Sequence, residues 1–204
     1  MTEKMIQNAY GLTSAEATRE FYDKWAETYE DEVSENGYVT PGRCAEALSQ
    51  FADDKSAPIL DIGCGTGISG LALKEAGFST IDGSDFSAEM LSRADAKKIY
   101  RALHNTNLEE PFPFETGSYA HISAMGVLNP GHAPATTLDD VLNLLKPGGL
   151  FVFSLNDHAL EDNTYEGRIS EHIDTGNAAL LFKEYGDHLP EMGLNSNVYV
   201  LQKS

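Results

Sequence analysis

The segment Asp61-Ile62-Gly63-Cys64-Gly65-Thr66-Gly67 carries the densest chemistry in the chain. Ile59 and Leu60 before it are apolar and read as the end of a strand, and three alternate glycines then form a turn that opens a helix. Glycine reaches positive φ and lets a backbone approach a ligand closely, while the helix start behind it presents N–H groups with no helical partner. Asp85 follows twenty positions after Gly65, at the end of the next expected strand. A carboxylate there can accept both hydroxyls of a ribose. Turn and acid together predict a cofactor with a nucleoside end, and are much more specific together than either is alone.

Two cofactor classes compete for such a site, because Gly65-x-Gly67-x-x-Gly70 also matches the dinucleotide pattern G-x-G-x-x-G. A dehydrogenase would turn these glycines toward a pyrophosphate, and nothing would then explain an acid at Asp61. A cofactor whose other end carries sulfonium and ammonium charges gives Asp61 a partner. The one Tyr-x-x-x-Lys arrangement, Tyr199 to Lys203, falls in the expected C-terminal strand and cannot supply a short-chain dehydrogenase site. A glycine turn with no ligand is the third reading.

Elements must place these residues. Helical spacing dominates 15–29, with Phe21, Tyr22, Trp25 and Tyr29, and 41–53, with Cys44, Leu48 and Phe51. Apolar runs near 58–62, 79–83, 101–105, 121–125 and 150–155 then alternate with helical stretches near 67–76, 88–98 and 134–145, the mark of βαβ units. Lys146-Pro147-Gly148-Gly149 stops the last helix, and 178–184 with 197–202 read as a closing antiparallel pair. The expected fold is α/β: a doubly wound, mostly parallel, Rossmann-like sheet with an antiparallel C-terminal strand and an N-terminal helical extension. Residues 1–55 are read as a helical cap of the same domain, and 56–204 as its cofactor-binding core. No internal repeat or low-complexity tract interrupts this pattern.

A chain of 204 residues is long enough for one well-buried α/β core. Its 14 Lys+Arg against 32 Asp+Glu leave a formal charge of -18, which repels phosphate backbones and anionic lipid surfaces. A small-molecule acceptor is therefore expected, with neither nucleic acid nor membrane as partner. Cys44 and Cys64 are too few and too oddly placed for a disulfide framework or a zinc site, which suits a reducing cytoplasm. The first eight residues lack an apolar leader core, and no run reaches membrane-span length, so a soluble, cytoplasmic protein is expected. Nothing in the sequence specifies an oligomeric state.

These residues resemble the class I S-adenosylmethionine-dependent methyltransferases. Asp61 to Gly67 looks like their first motif, and Gly83-Ser84-Asp85-Phe86-Ser87-Ala88-Glu89-Met90-Leu91 like their acidic second-strand motif. Asn107-Leu108 with Pro111-Phe112-Pro113-Phe114 resembles the adenine-side segment, and Leu145-Lys146-Pro147-Gly148-Gly149 the turn into the fifth strand. The stretch Trp25-Ala26-Glu27-Thr28-Tyr29 through Gly37-Tyr38 and Pro41 additionally resembles the Williams-Beuren-region methyltransferase-like proteins. The resemblance implies S-adenosyl-L-methionine as cofactor. Gly63, Gly65 and Gly67 would line its methionine part, with Asp61 near the cationic end, and Asp85 would hold the ribose. Phe86 and Met90 would flank the adenine, and Asn107 and Leu108 would meet its edge. Two positions depart from the family: Ala120 follows Tyr119 where an acid is common, and Asn107 stands where many members have Asp. An amide oxygen still accepts from the adenine amino group.

Methyl transfer is an in-line displacement, so positioning can supply most of the acceleration and a base is optional. Acceptor-side candidates lie beyond the C-terminal ends of the fourth and fifth strands: Asn129, His132, Asn156, Asp157, His158 and Tyr165. His158 is the candidate catalytic base, since imidazole titrates near neutrality; a plain loop histidine is the alternative. Trp25 and Tyr29 share a helical face and either roof the cofactor or form ordinary core. Asn156-Asp157 faintly resembles the metal site of catechol-type O-methyltransferases, but Ala124 to Leu128 offers no carboxylate to complete it, so no metal is assigned. His121 is expected to point into the sheet packing. The readings that remain are an enzyme methylating an O, N or S atom of a small molecule, a catalytically silent cofactor-binding module, and a protein lysine or arginine methyltransferase.

Overall fold

A computed structural model describes residues 5–8, 15–107 and 110–204 of the chain. Among these residues seven strands form one sheet: β1 (Ile59–Ile62), β2 (Ile81–Asp85), β3 (Ala102–Asn105), β4 (Tyr119–Ala124), β5 (Leu145–Asn156), β6 (Ala178–Leu189) and β7 (Leu194–Lys203). Their order is β3-β2-β1-β4-β5-β7-β6, with β7 antiparallel to both its neighbours and the first five strands parallel. The order reverses between β1 and β4, which opens a crevice beyond their carboxyl ends. Asp61 lies beneath that crevice, opposite Gly83 on β2 and Ser123 on β4.

Among the described residues, eight helices surround the sheet: α1 (Ala15–Trp25), α2 (Tyr29–Glu35), α3 (Thr40–Ser49), α4 (Ile68–Glu75), α5 (Ala88–Ala96), α6 (Thr137–Leu144), α7 (Asp157–Leu160) and α8 (Asn163–Asp174), with a short 3₁₀ turn at Met5–Asn8 and another at Pro190–Met192. Every residue of β1 is buried, because helices cover both faces. Leu60, Ile122, Phe151, Phe153 and Leu201 pack on one face against Leu138 and Val141 of α6 and Tyr165 and Ile169 of α8. Ile59, Ile81, Val152 and Val200 pack on the other against Cys44 and Leu48 of α3 and Leu73 of α4. A third cluster joins Ile6, Trp25, Val33 and Leu189, with Phe21, Tyr22, Tyr29 and Tyr38 partly buried around it.

Several boundaries differ from the sequence expectations. The helix expected over 15–29 ends at Trp25, where a tight turn donates Thr28 N to the Trp25 carbonyl at 3.0 Å, and the Thr28 hydroxyl then bonds Glu32 at 2.7 Å as α2 begins. β2 runs two residues later than expected, so that Asp85 is its last residue. β5 starts at Leu145 because Lys146 to Gly149 are absorbed into an irregular register between the Tyr119 and His121 pairs. β6 continues to Leu189, well past the expected 184, and α7 and α8 occupy a stretch to which no element was assigned. In α8 the buried pair Tyr165 and Ile169, four apart, sets its inward face, and Asp162 caps it by accepting from Thr164 N at 2.9 Å. No helix among the described residues is long and apolar enough to cross a membrane.

Candidate functional site

The turn after β1 is held by two buried carboxylates. The Asp85 Oδ2 accepts the Gly65 N–H at 2.9 Å and its Oδ1 accepts the Ser87 N–H at 2.9 Å. Burial pushes Asp85 up to about 6, against the backbone donors that favour its charge. Asp61 lies beneath the turn with no exposed surface and accepts three hydroxyls: Ser69 at 2.6 Å and Tyr100 at 2.8 Å on Oδ2, and Ser123 at 2.8 Å on Oδ1. Burial raises it to about 6 as well. Tyr100 Oη in turn accepts the Gly70 N–H at 3.1 Å, and a Cβ on Gly70 would sit 2.3 Å from that oxygen. The third glycine of the dinucleotide-like pattern is therefore the berth of Tyr100.

Three connected cavities open along this edge. The largest encloses about 710 Å³ including its mouth, and its walls include Gly63, Gly65, Phe86, Met90, Asn107 and Val127. A Cβ on Gly65, at φ +53°, would meet nothing within 4 Å, so its bare Cα faces open space; one on Gly63 would press to 2.4 Å from Val127. A second cavity of about 440 Å³ lies between the N-terminal helices and the ends of β4, β5 and β6, with Trp25, Tyr38, Asn129, Asn156 and His188 on its walls. Tyr22, Tyr29, Gly126 and His132 line both. A third, of about 260 Å³, follows the turn past Cys64 and Thr66 and shares Tyr29, Gly63 and Gly65 with the first. Among the described residues, none of the three is lined by an Asp, Glu, Lys or Arg side chain.

Side-chain links hold α1 and α2 over these cavities. Ser87 donates to Asp23 at 2.5 Å, Thr18 donates to the Gly131 carbonyl at 3.1 Å, and Lys97 pairs with Glu30 while donating to the Thr66 carbonyl at 2.7 Å. Tyr22 contacts Phe86 edge-on at 6.0 Å and His132 at 5.5 Å between ring centroids, which closes the roof with aromatic surface.

The structure therefore brings together Tyr29, Gly63, Gly65, Phe86, Met90 and Asn107 around the large cleft, with Asp85 bonded to its wall. Six expected positions fall elsewhere. Asp61 lines no cavity, because its oxygens are engaged by three hydroxyls under the turn. Gly67 instead lies over Ala94, Lys97 and Tyr100, where its φ of 95° begins α4. Trp25 lines the second cavity but not the cleft, its ring packed 4.8 Å from Tyr29. His158 is half-buried on α7 and lines none of the three cavities; the imidazoles that do are His132 and His188. Asp157 is engaged by Tyr185 Oη and Asn195 N, both at 2.8 Å, and Tyr165 donates to the Ala133 carbonyl at 2.7 Å, so neither reaches the second cavity. Leu108 lies outside the described residues. His121 is buried in the sheet packing, edge-on to Phe78.

Sequence reasoning missed His188 and Tyr100. His188 accompanies the unexpected length of β6; its Nδ1 lies 2.7 Å from Thr40 Oγ1, and burial lowers it to about 4. The signal for Tyr100 was Gly70, a glycine inside a helix with no turn to explain it. No cluster of His, Cys, Asp and Glu able to hold a metal occurs among the described residues.

Switch-point crevice, glycine turn, acid at the end of β2 and nucleoside-sized cleft define a Rossmann-like class I domain of the S-adenosylmethionine-dependent methyltransferase kind. The chain belongs to the methyltransferase-domain family, whose model matches residues 37–193. It is 33% identical over 148 residues to methyltransferase-like protein 27 of Homo sapiens, covering 71% of this chain and 60% of that protein. That relative agrees with the resemblance carried by Trp25 to Pro41. It is 29% identical over 145 residues to a probable 18S rRNA (guanine-N(7))-methyltransferase of Dictyostelium discoideum, covering 60% of this chain and 50% of that one. The chain thus spans 50 to 60% of the length of these relatives. Its fold is also that of a Haloferax volcanii methyltransferase solved with the Trm112 activator, with a TM-score of 0.66 at 20% identity over 88% of this chain and 96% of the other. S-adenosyl-L-methionine is the cofactor of this class. The cleft fits its nucleoside end: Gly65 leaves room against the wall, Phe86 and Met90 give apolar surface, and Asn107 gives an amide.

Proposed function

We propose that this chain transfers a methyl group from S-adenosylmethionine to an O, N or S atom of a small, uncharged molecule held in the second cavity. The observation that carries this reading is the junction at which Tyr22, Tyr29, Gly126 and His132 border both the cofactor cleft and the second cavity. S-adenosylmethionine supplies an electrophilic methyl carbon on a sulfonium, which an in-line nucleophile displaces. The chain's part is to hold the two reactants in that line and keep water out.

Asp85 accepts the ribose hydroxyls, because each of its oxygens has accepting capacity beyond the backbone N–H it binds. Phe86 and Met90 cover the adenine, Asn107 meets its edge, and Gly63 and Gly65 border the methionine part. Tyr29, on the walls of all three cavities, offers an aromatic face to the sulfonium, a contact of about 0.5–2 kcal/mol.

Cavity walls with neutral amides, imidazoles and aromatic rings suit an uncharged acceptor. Among the described residues they offer no cation for a phosphate and no carboxylate for a protonated lysine or arginine. A relative named for rRNA methylation favours a nucleic-acid acceptor; the formal charge of -18 and the small roofed cavity favour a small molecule. Methyl-labelled cofactor incubated with the chain and a fractionated cell extract tests this. Label in a low-mass fraction supports the reading, label in protein or RNA replaces it, and S-adenosylhomocysteine binding without any labelled product leaves a silent binding module.

A further inference from the structure

Tyr22 comes from α1 and His132 from the loop after β4, and their Oη and Nε2 atoms lie 2.9 Å apart at the junction of the two cavities. The loop is held on several sides: Asn129 and Ala133 form a bridge, Tyr165 Oη bonds the Ala133 carbonyl at 2.7 Å, and Thr18 bonds the Gly131 carbonyl at 3.1 Å. The imidazole is therefore fixed in place. Its Nδ1 is buried and the Pro130 backbone lies beside the ring, so any exchange with a bound molecule runs through the Nε2 edge. Burial lowers the His132 pKa below the ordinary histidine value, and the Pro130 carbonyl offsets this only in part. At neutral pH the ring is uncharged and keeps one basic nitrogen. Tyr29 of α2, Tyr38 before α3 and His188 at the end of β6 are the other titratable groups on the second cavity's walls, and no charged side chain among the described residues faces it.

We propose that Tyr22 and His132 form a proton relay, and that the acceptor they serve is a neutral phenol. This rests on the methyl-transfer reading above. Tyr22 Oη can donate to Nε2 and still accept from an incoming hydroxyl, because a phenolic oxygen carries two lone pairs. As the acceptor oxygen bonds to the methyl carbon, the carbon–sulfur bond breaks with its electron pair staying on sulfur. The acceptor's proton passes to Tyr22 Oη while the Tyr22 proton passes to His132 Nε2. One positive charge leaves sulfur and one appears on the imidazole, so the enclosed site keeps its net charge. An amine nucleophile needs no such relay, and a phenol, being a far stronger acid than an aliphatic alcohol, passes its proton toward an imidazole more readily. The aromatic walls Trp25, Tyr29 and Tyr38 match a flat ring.

The full chain saturated with S-adenosylhomocysteine is titrated with 4-nitrophenol, which turns yellow when it ionises. Wild type should ionise the bound phenol at a lower pH than a variant that lacks either member of the relay, because only wild type can pass the proton on to the imidazole. His132→Gln and Tyr22→Phe should lose that colour shift when each is held at saturating S-adenosylhomocysteine, with its occupancy set from its own calorimetric affinity. With labelled S-adenosylmethionine and a series of para-substituted phenols, the rate loss in both variants should grow as the phenol becomes less acidic. It should reach about 100-fold or more at the weakest acid, the range of general-base catalysis. A colour shift equal in wild type and variants, phenols that do not bind, or a loss uniform across the series would overturn the relay. Wild type that fails to bind S-adenosylhomocysteine would instead sink the methyltransferase reading, and the relay with it. If His132→Gln does not fold, Tyr22→Phe, which keeps the ring in its aromatic cluster, carries the comparison.

Discussion

Asp61 and Asp85 belong to one turn and answer pH alike but serve different ends. Both are buried and raised to about 6 from an ordinary 3.8. A carboxyl raised in the folded state contributes stability that is fully present below about 3.8 and is lost as the pH rises through about 6. On the role proposed for Asp85, ribose binding runs the other way, since a carboxyl accepts two hydroxyls best when ionised. Between pH 7 and 5, then, S-adenosylhomocysteine affinity should fall while these two groups add stability. Asp85→Asn should flatten the pH dependence of affinity, as calorimetry across that window would register; an equally steep variant would locate the ribose elsewhere. Asp85→Ala should weaken binding at least about tenfold, because charge-assisted hydrogen bonds contribute roughly 1.5–3 kcal/mol each. Asp61 acts through packing instead. Tyr100→Phe removes one of its three hydroxyl donors and the acceptor for Gly70 N, and should cost about 1–3 kcal/mol in denaturant unfolding.

The roof helices turn on a different balance. α1 and α2 bury Trp25 and Val33 in a cluster of their own with Leu189, and reach the cofactor turn chiefly through Ser87–Asp23 and the Lys97–Glu30 pair. Glu30→Gln weakens a half-exposed ion pair, so global stability should hardly change, whereas S-adenosylhomocysteine affinity should drop about two- to fivefold if α2 is part of the cover. Trp25 is the chain's one tryptophan, so its fluorescence should change when the cavities fill; a signal indifferent to S-adenosylhomocysteine and to phenols would make the cluster ordinary core. These helices also mark how far the sequence could be read. The alternation of strands and helices, the turn, Asp85, and the pairing of β6 with β7 were legible because period, glycine chemistry and spacing are local properties. The break after Trp25, the length of β6 and the α8 face were not, since a tight turn and a long edge pair depend on what packs across them. At the site, Phe86, Met90 and Asn107 could be placed from their motif positions. The sequence points to His158 rather than His132 because distance beyond a strand end does not tell which way a loop folds back; the anchors on Ala133 and Gly131 decide that, and they come from α8 and α1.

At the scale of the whole molecule, the formal charge of -18 argues against the acceptor that the rRNA-named relative suggests. Holding a nucleic-acid backbone requires several cations on one face, each releasing a counterion and steepening the salt dependence. Five of the cations that could begin such a face are already committed. Lys97 is paired with Glu30, Lys98 lies 2.6 Å from Asp95, and Arg101 is 2.5 Å from Asp82. Arg168 is held between Asp139 and Glu171, and Lys183 lies 2.7 Å from Glu166. To bind phosphates, these pairs would have to open in a field that already repels the incoming anion. The expected outcome is no retention of the chain on immobilised DNA, RNA or anionic vesicles at moderate ionic strength, and no change in that result when S-adenosylhomocysteine is added. Retention that falls steeply with salt would mean that a partner-facing cationic surface exists and that the small-molecule reading is wrong. Retention only together with a second, basic protein chain would assign the charge to that partner, and the acidity of this one would then be the complementary face.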